Sequence, residues 1–531
     1  MKKTVFAMIS MIGMLILAFN VQSVASLEPP ATEWSHTYGG TSNEDAYCMI
    51  QANDGGYALA GPSSSFVLGF TNVWLVKTDA DGNQLWSVTY EETAYCVASS
   101  LVETVDGGYA LAGYIQPFDT DLRSFYLIRT DASGNMLWKK TYGGGSQRVA
   151  NSLVQTTDGG YALAGYTWYP GTNVYEVFVV KTDADGNQLW NKTYVVETGY
   201  SVAFSVVQTS DGGYALGGHT GSSPGPEGNL DGFLIKTDAD GNQLWTRTYG
   251  GTGDDREFEM VRTSDGGYAL AGRTNSFGVG DYDSYLIKTD ANGAMQWNKT
   301  YGGTDSEWAH SVVQTSDGGY ALAGYTDSFG TGSQDFWLVR TDADGNMLWN
   351  KTCGGTGIDR AYSIVQTDDG GYALAGGTTS FGAGGWDYWL VKLAPEGISA
   401  SIDMDPNTLN LRSKGNWITG YIELPKGYDV AGVDVSTVML NETIQADASA
   451  PTCIGDYDSD GVADLMVKFD RAQLAQYVLD HASLTGQFTT VALTVTGELD
   501  DGTPFIGSDT IRIIYPVQKG GKESVYSRNR T

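Results

Sequence analysis

Histidine and cysteine are both scarce here, with four residues of each in 531. His36, His219, His310 and His481 form no His-x-x-x-His pair, and Cys48, Cys96, Cys353 and Cys453 form no Cys-x-x-Cys pair. Neither a zinc site nor a disulfide framework is therefore written in the chain. A bridge between Cys48 and Cys96 is one arrangement, and buried free thiols are the expected one. Basic charge is also short: 31 Lys and Arg stand against 62 Asp and Glu, a net charge of −31. Nucleic acid is excluded as a partner on that balance, because phosphates need a basic face. Long apolar runs are confined to Val5–Phe19, which follows Lys2 and Lys3 and precedes Val24-Ala25-Ser26. This is the layout of a secretory signal peptide over residues 1–26, cleaved near Ser26. No cysteine follows it for lipidation and the tail at 517–531 is polar, so no membrane insertion is expected after cleavage. Sequons at Asn191, Asn298, Asn350, Asn441 and Asn529 suit an exported protein.

What the chain has in abundance is one octad, Asp-Gly-Gly-Tyr-Ala-Leu-Ala-Gly. It starts at Asp54, Asp106, Asp158, Asp211, Asp265, Asp317 and Asp369, with Gly217 its one departure. A period near fifty residues marks a supersecondary unit that cannot bury its own apolar faces and must stack on its neighbours. Much of the acidic excess is turn Asp, whose side chain bonds nearby backbone N–H groups.

Each repeat reads as four strands, A to D. In the sixth, Ser311–Thr315 leads through the Asp317-Gly-Gly turn into Tyr320–Gly324, then Phe336–Arg340, then past Asp342-Ala-Asp-Gly-Asn346 into Met347–Thr352. Strand B lacks a polar alternate, so both its faces are covered; strand D alternates, as an outer strand half in water should. The seventh repeat has no D strand, and Glu33–Gly40 matches that strand at the other end of the chain. The fold expected is all-β: a seven-bladed β-propeller over 32–397 closed by an N-terminal strand, which leaves no edge unpaired.

The stretch Asp183-Ala-Asp-Gly-Asn-Gln-Leu-Trp190 resembles the tryptophan-docking repeat of quinoprotein propellers. The octads are similar to Asp-Gly-Gly-Tyr arrays of secreted archaeal and bacterial surface proteins. The resemblance implies that Trp190 packs between adjacent blades and that Gly186 takes a positive φ, and likewise for each matching pair. It does not bring the quinone, because cofactor-dependent members carry adjacent cysteines and this chain has none. The repeated Asp-x-Asp-Gly-Asn could be read as calcium loops, but a turn capped by Asp is expected, since it is one ligand step shorter than a calcium loop.

Variation is concentrated in the B–C segments, which share one propeller face with the D–A loops, and binding residues sit on such loops. The candidates there are Trp168, Tyr169, Asp254, Asp255, Arg256, Tyr282, Trp308, Arg360 and Trp386, forming a concave ligand site. No catalytic residue is assigned. His310 is the best single histidine, and the Asp254–Asp255 pair invites comparison with glycosidases. The function expected is a secreted, non-catalytic binding or adhesion protein presenting these loops to an extracellular glycan or protein. The alternative is a polysaccharide hydrolase or lyase on the same scaffold.

After Gly397 the repeat stops. Residues 398–516 carry alternating strands such as Trp417–Ile422 and Val491–Val495, as in a small Ig-like β-sandwich, with one helix from Asp470 to Leu479. Within them Asp456-Tyr-Asp-Ser-Asp-Gly-Val-Ala-Asp464 resembles the calcium loops of dockerins and thrombospondin type 3 repeats. Asp456, Asp458, Asp460, Asp464 and the Val462 carbonyl are the expected Ca²⁺ ligands. Position 12 is Val467 rather than Glu, so a loop leading into a strand is expected instead of helix–loop–helix geometry.

Overall fold

The computed structural model describes residues 29–514 except 67–70, 91–93, 145, 198, 222–228, 414, 426–427, 442, 482–487 and 501. The expected signal peptide and polar tail lie outside the described residues. Up to Leu393 the chain is strand after strand, gathered into antiparallel sheets of four. In the sixth repeat strands A to D are Glu307–Gln314, Tyr320–Thr326, Asp335–Thr341 and Met347–Cys353. The third and fourth repeats are joined into one larger sheet by a single parallel pairing of Tyr175 with Tyr200. Strands B and C are buried throughout in the sixth repeat, whereas strand D of the third, Gln188–Tyr194, alternates between solvent and neighbour. That follows from the missing polar alternate in Tyr-Ala-Leu-Ala-Gly.

The arrangement is propeller-like. Each A strand packs on the A strands of its neighbours, and Cys48–Gln51 lies against both Ala94–Glu103 and Asp359–Gln366. Thr32–Tyr38 pairs antiparallel with Asp387–Leu393, placing Trp34 opposite Lys392 and Tyr38 opposite Tyr388. The first described strand thus supplies the D strand that the seventh repeat lacks.

Three repeated contacts hold the units together. Each octad Asp pairs with a buried cation on strand C; Lys77 Nζ lies 2.8 Å from Asp54 and Lys236 Nζ 2.8 Å from Asp211. Hydrogen bonds from Lys236, then from the Thr209 hydroxyl, hold Asp211 down to about 2. Every D-strand Trp except Trp349 packs on the turn glycine of the next repeat: a Cβ on Gly186 would lie 2.6 Å from Trp138, and one on Gly241 2.8 Å from Trp190. Both glycines have positive φ, 74° and 73°. The docking expected from resemblance is therefore present, but Trp190 docks on Gly241 of the following repeat, and Gly186 receives Trp138. Third, the D-strand Tyr hydroxyl donates to that glycine's carbonyl, as Tyr90 does to Gly134 at 2.8 Å and Tyr142 to Gly186 at 2.7 Å.

The Asp-x-Asp-Gly-Asn turns are closed by their own atoms. Asp79 accepts from the backbone N–H of Asp81 and of Asn83 and from the Asn83 side-chain amide, at 2.8–3.0 Å. All four cysteines are free, Cys48 and Cys96 buried as expected, but Cys453 is exposed.

After Gly397 two further sheets enclose one core of their own, including Met404, Ile418, Val438, Phe469, Leu493 and Ile511. The helix runs Arg471–His481, with Leu474 and Val478 buried and the Asp470 carboxylate capping the N–H groups of Ala472 and Gln473. Among the described residues no helix is long and apolar enough to cross a membrane.

Candidate functional site

The D–A and B–C loops are tied together by a buried acid at the start of strand A or, for Glu44, four residues before it. Glu44, Asp255, Glu307 and Asp359 are each 0% exposed and accept from the N–H of Gly40, Gly251, Gly303 and Gly355 at 2.8–2.9 Å. Ser276 and Ser380 hydroxyls, from the B–C loops, donate to Asp255 and Asp359. These loops are thereby fixed as a rigid frame, and Asp255 is committed to it.

Inside that frame runs a belt of aromatic rings and arginines. Tyr114, Tyr166, His219, Arg273 and Tyr325 all occupy the position directly after the octad. The Arg123 guanidinium lies 4.5 Å from the Tyr114 ring, and Arg273 lies 3.2 Å from the Trp308 ring and 4.8 Å from Tyr282. Arg360 lies 5.1 Å from Tyr325 and 5.7 Å from Trp386. Such contacts suit desolvated arginine, whose planar, weakly hydrated head stacks on rings. Five of the nine arginines between residues 32 and 397, namely Arg123, Arg148, Arg256, Arg273 and Arg360, stand at this end of the repeats. Two of them are ion-paired, Arg256 with Asp254 and Arg273 with Glu257 at 3.3 Å.

On the axis the belt opens into a cavity of about 520 Å³ to which every repeat contributes. Tyr47, Ser99 and Asn151 come from the first three repeats, Phe204 from the fourth, Glu257 and Glu259 from the fifth, Trp308 and His310 from the sixth, and Tyr362 from the seventh. Most of these arrive by a bulge. The A–B ladder skips Ser99, Asn151, Phe204, His310 and Tyr362, and an unpaired residue on the innermost strand is free to turn toward the axis. In the fifth repeat it skips Glu257 and Phe258 together. Phe258 turns into the core at 0% exposure, and Glu257 faces the cavity at a φ of 59°. A non-glycine residue in that region is strained, and such strain concentrates at functional positions.

The cavity perturbs its titratable groups. Burial pushes Glu259 up to about 7, against hydrogen bonds from the Ser311 hydroxyl and the Val312 N–H that oppose the rise. Burial, then the charges of Arg273 and Arg360, holds His310 down to about 3 and therefore neutral. His219 is also held near 3, by burial and by Arg256 and Arg273, and its Nδ1 accepts the Glu257 N–H at 3.0 Å. Glu259 Oε2 and His310 Nε2 are enclosed and without a hydrogen-bond partner.

The sequence candidates divide. Asp254, Arg256, Tyr282, Trp308, Arg360 and Trp386 come together around the mouth, linked through Arg273 and Tyr325: the Tyr282 hydroxyl donates to Asp254 at 3.3 Å, and Trp308 lies 5.1 Å from Tyr325. Asp254 is 5% exposed and Asp255 0%, so both serve the frame and neither is a free surface carboxylate. Trp168 stacks on Tyr175 at 5.7 Å, which touches Tyr200, while Tyr169 donates to Glu176 on the outer rim. Sequence reasoning missed Tyr47, Asn151, Glu257, Glu259 and Tyr362, together with Arg273. The signal was present: these are places where residues vary inside otherwise constant strands.

In the C-terminal part, the carboxylate oxygens of Asp456, Asp458 and Asp464 lie within 4.8 Å of one another, and so do those of Glu423, Asp458 and Asp460. Gly461, at a φ of 94°, bends the loop and donates its N–H to Asp456. Val467 is buried in the core, and Glu423 comes instead from the neighbouring strand, opposite Asp464 in register. Burial, then the charges of Asp460, Asp464, Asp458 and Asp456, raises Glu423 above the usual carboxylate range. This all-oxygen donor set fits a hard cation such as Ca²⁺.

No protein-family model matches the chain. The regulatory protein FlaEY of Caulobacter vibrioides is 26% identical over 252 residues, which cover 44% of this chain and 24% of that protein; the chain thus spans about a quarter of the relative's length. Among solved structures, the polysaccharide lyase Uly1 matches with a TM-score of 0.43 and 13% identity, over 67% of this chain and 91% of that one. The Neurospora crassa Pan2 WD40 domain gives 0.42 and 11%, over 66% and 89%. The plexin A4 extracellular region gives 0.42 and 9%, over 90% and 67%.

Proposed function

We propose that the protein is exported as a seven-bladed β-propeller, residues 32–397, followed by an Ig-like β-sandwich, residues 398–516, that takes Ca²⁺. Its loop face binds an extracellular glycan without turning it over. The observation that carries this reading is the axial cavity, where seven repeats with near-identical scaffolds contribute Tyr, Ser, Asn, Phe, Glu, Trp and His side chains, only the first and seventh sharing a residue type. A scaffold alone has no use for that variety. A cavity of some hundreds of Å³ with aromatic walls and a few converging polar groups is the ordinary form of a small-ligand site. The wall rings suit the apolar faces of sugars, and the amide, carboxyl and imidazole suit their hydroxyls. Because Arg256 and Arg273 at the mouth are already paired with carboxylates, an uncharged ligand fits better than a strongly charged one.

A glycan array probed with the purified protein tests this, with bound sugars recovered and analysed. Retention of unaltered sugar, weakened about tenfold or more by Trp386→Ala, is the expected result. Glu257 and Glu259, two residues apart on one cavity wall, keep a hydrolytic alternative in view, since such reactions need paired carboxyls in unlike environments. Release of shortened sugars, abolished by Glu259→Gln, would replace the binding role with that one.

A further inference from the structure

Glu259 departs from its own repeat. The position six residues before the octad Asp is Ser100, Ser152, Ser205, Ser311 and Ser363 in five other repeats, and Cys48 in the first. The serine has a structural task between neighbouring A strands: Ser100 Oγ accepts the Leu153 N–H at 3.1 Å, Ser152 Oγ the Val206 N–H at 3.1 Å, and Ser363 Oγ the Met49 N–H at 3.2 Å. Glu259 does the same task, accepting the Val312 N–H of the next repeat. It therefore brings a second oxygen and a desolvated carboxyl that the scaffold does not need, and burying such a group costs stability. That spare oxygen, Oε2, is enclosed, partnerless and part of the cavity wall, as is His310 Nε2 from the adjacent repeat.

We propose that Glu259 and His310 hold the terminal unit of an uncharged glycan, so that the protein recognises chain ends and not chain interiors. The inference rests on the glycan-binding reading above. The cavity is ringed on every side by A strands, each in contact with the next around the full circle. A polymer lying across the face can cover the mouth, but only an end can enter along the axis. The partnerless carboxyl and imidazole then meet ring hydroxyls, which both donate and accept, while Tyr47 and Tyr362, 5.3 Å apart, close the wall beside His310. A bulky ionic group would meet Arg273 and Arg360 already committed to Trp308 and Tyr325.

The experiment uses the full chain and neutral oligosaccharides anchored by their reducing ends, each with a free or an O-methylated terminal ring. Glu259→Ser and His310→Tyr install residues that other repeats carry at the same positions, so both variants are expected to fold. End-on recognition predicts at least tenfold weaker binding to methylated chains, and a similar loss in each variant on free-ended chains. If both variants bind as the parent does, or capped chains bind equally, the inference is overturned. Loss on Trp386→Ala in that same case would leave glycan binding by the face intact. Absence of binding to every sugar would overturn both.

Discussion

Glu259 carries a cost that pH should expose. In the unfolded chain its carboxyl ionises near its ordinary value of 4.5, but in the cavity it holds its proton up to about 7. Between those values the folded chain binds a proton that the unfolded chain has released, so stability falls as pH rises, and the penalty is complete above about 7. Glu259→Ser should therefore gain little at pH 4 and on the order of 1–3 kcal/mol at pH 8, allowing for partial solvation of the cavity. Denaturant melts at the two pH values check it; an equal shift at both would contradict the buried carboxyl. His219 and His310 act in the opposite direction. Each stays neutral down to about 3 while the unfolded chain protonates near 6.5, so the stability tied to them is present above 6.5 and drains as pH falls. Nothing in the local sequence around Glu259 announces this, because burial is conferred by strands from the other repeats.

Between one D strand and the next turn the contacts are regular enough to predict substitutions. Tyr90→Phe removes the donor to the buried Gly134 carbonyl and should cost about 1 kcal/mol. Cys353 explains itself on the same pattern. It stands where other repeats have Tyr, but the seventh repeat takes its D strand from Thr32–Tyr38 and has no C–D turn to offer a carbonyl. Cys353→Tyr should then gain nothing in a thermal melt, while Tyr90→Phe lowers the midpoint; a stabilised Cys353→Tyr would refute the pattern. The first strand is held by the full set of contacts, its ladder to Asp387–Leu393, Trp34 on Gly82, and the Tyr38 hydroxyl 2.6 Å from the Gly82 carbonyl. Deleting residues 27–40 should lower the melting midpoint far more than trimming a frayed end, and an unchanged midpoint would count against closure by this strand. The strands and their order were legible because period, turn glycines and missing polar alternates are local properties. Which turn glycine each Trp meets, Gly241 for Trp190, was not, since it depends on how one sheet is rotated against the next.

At the scale of the molecule, the chain leaves the last sheet through Glu396, which accepts from Arg340 Nε at 2.6 Å and from the Tyr372 hydroxyl at 2.5 Å. The exit toward the second core is thus anchored to the sixth and seventh repeats. That core should respond to Ca²⁺ independently of the sugar site. A hundredfold excess over its dissociation constant would add about 2.7 kcal/mol if only the folded form binds. Calorimetry of the full chain with and without chelator should show one transition moving and the other fixed, and Asp458→Ala should remove the shift. A chelator-insensitive trace would rule out the cation. The sequence by itself determined the repeat, its four strands, the closing strand, the acidic loop at Asp456–Asp464 and the face on which variation gathers, because each is written in spacing or alternation along a short stretch. Only the tertiary structure decided that Tyr47 and Tyr362 share one wall, that Asp255 is scaffold, that Glu423 joins the acidic loop, and that Glu257 and Glu259 face an axis. Those facts depend on which strands meet across the closed ring, and no local pattern encodes a neighbour more than three hundred residues away.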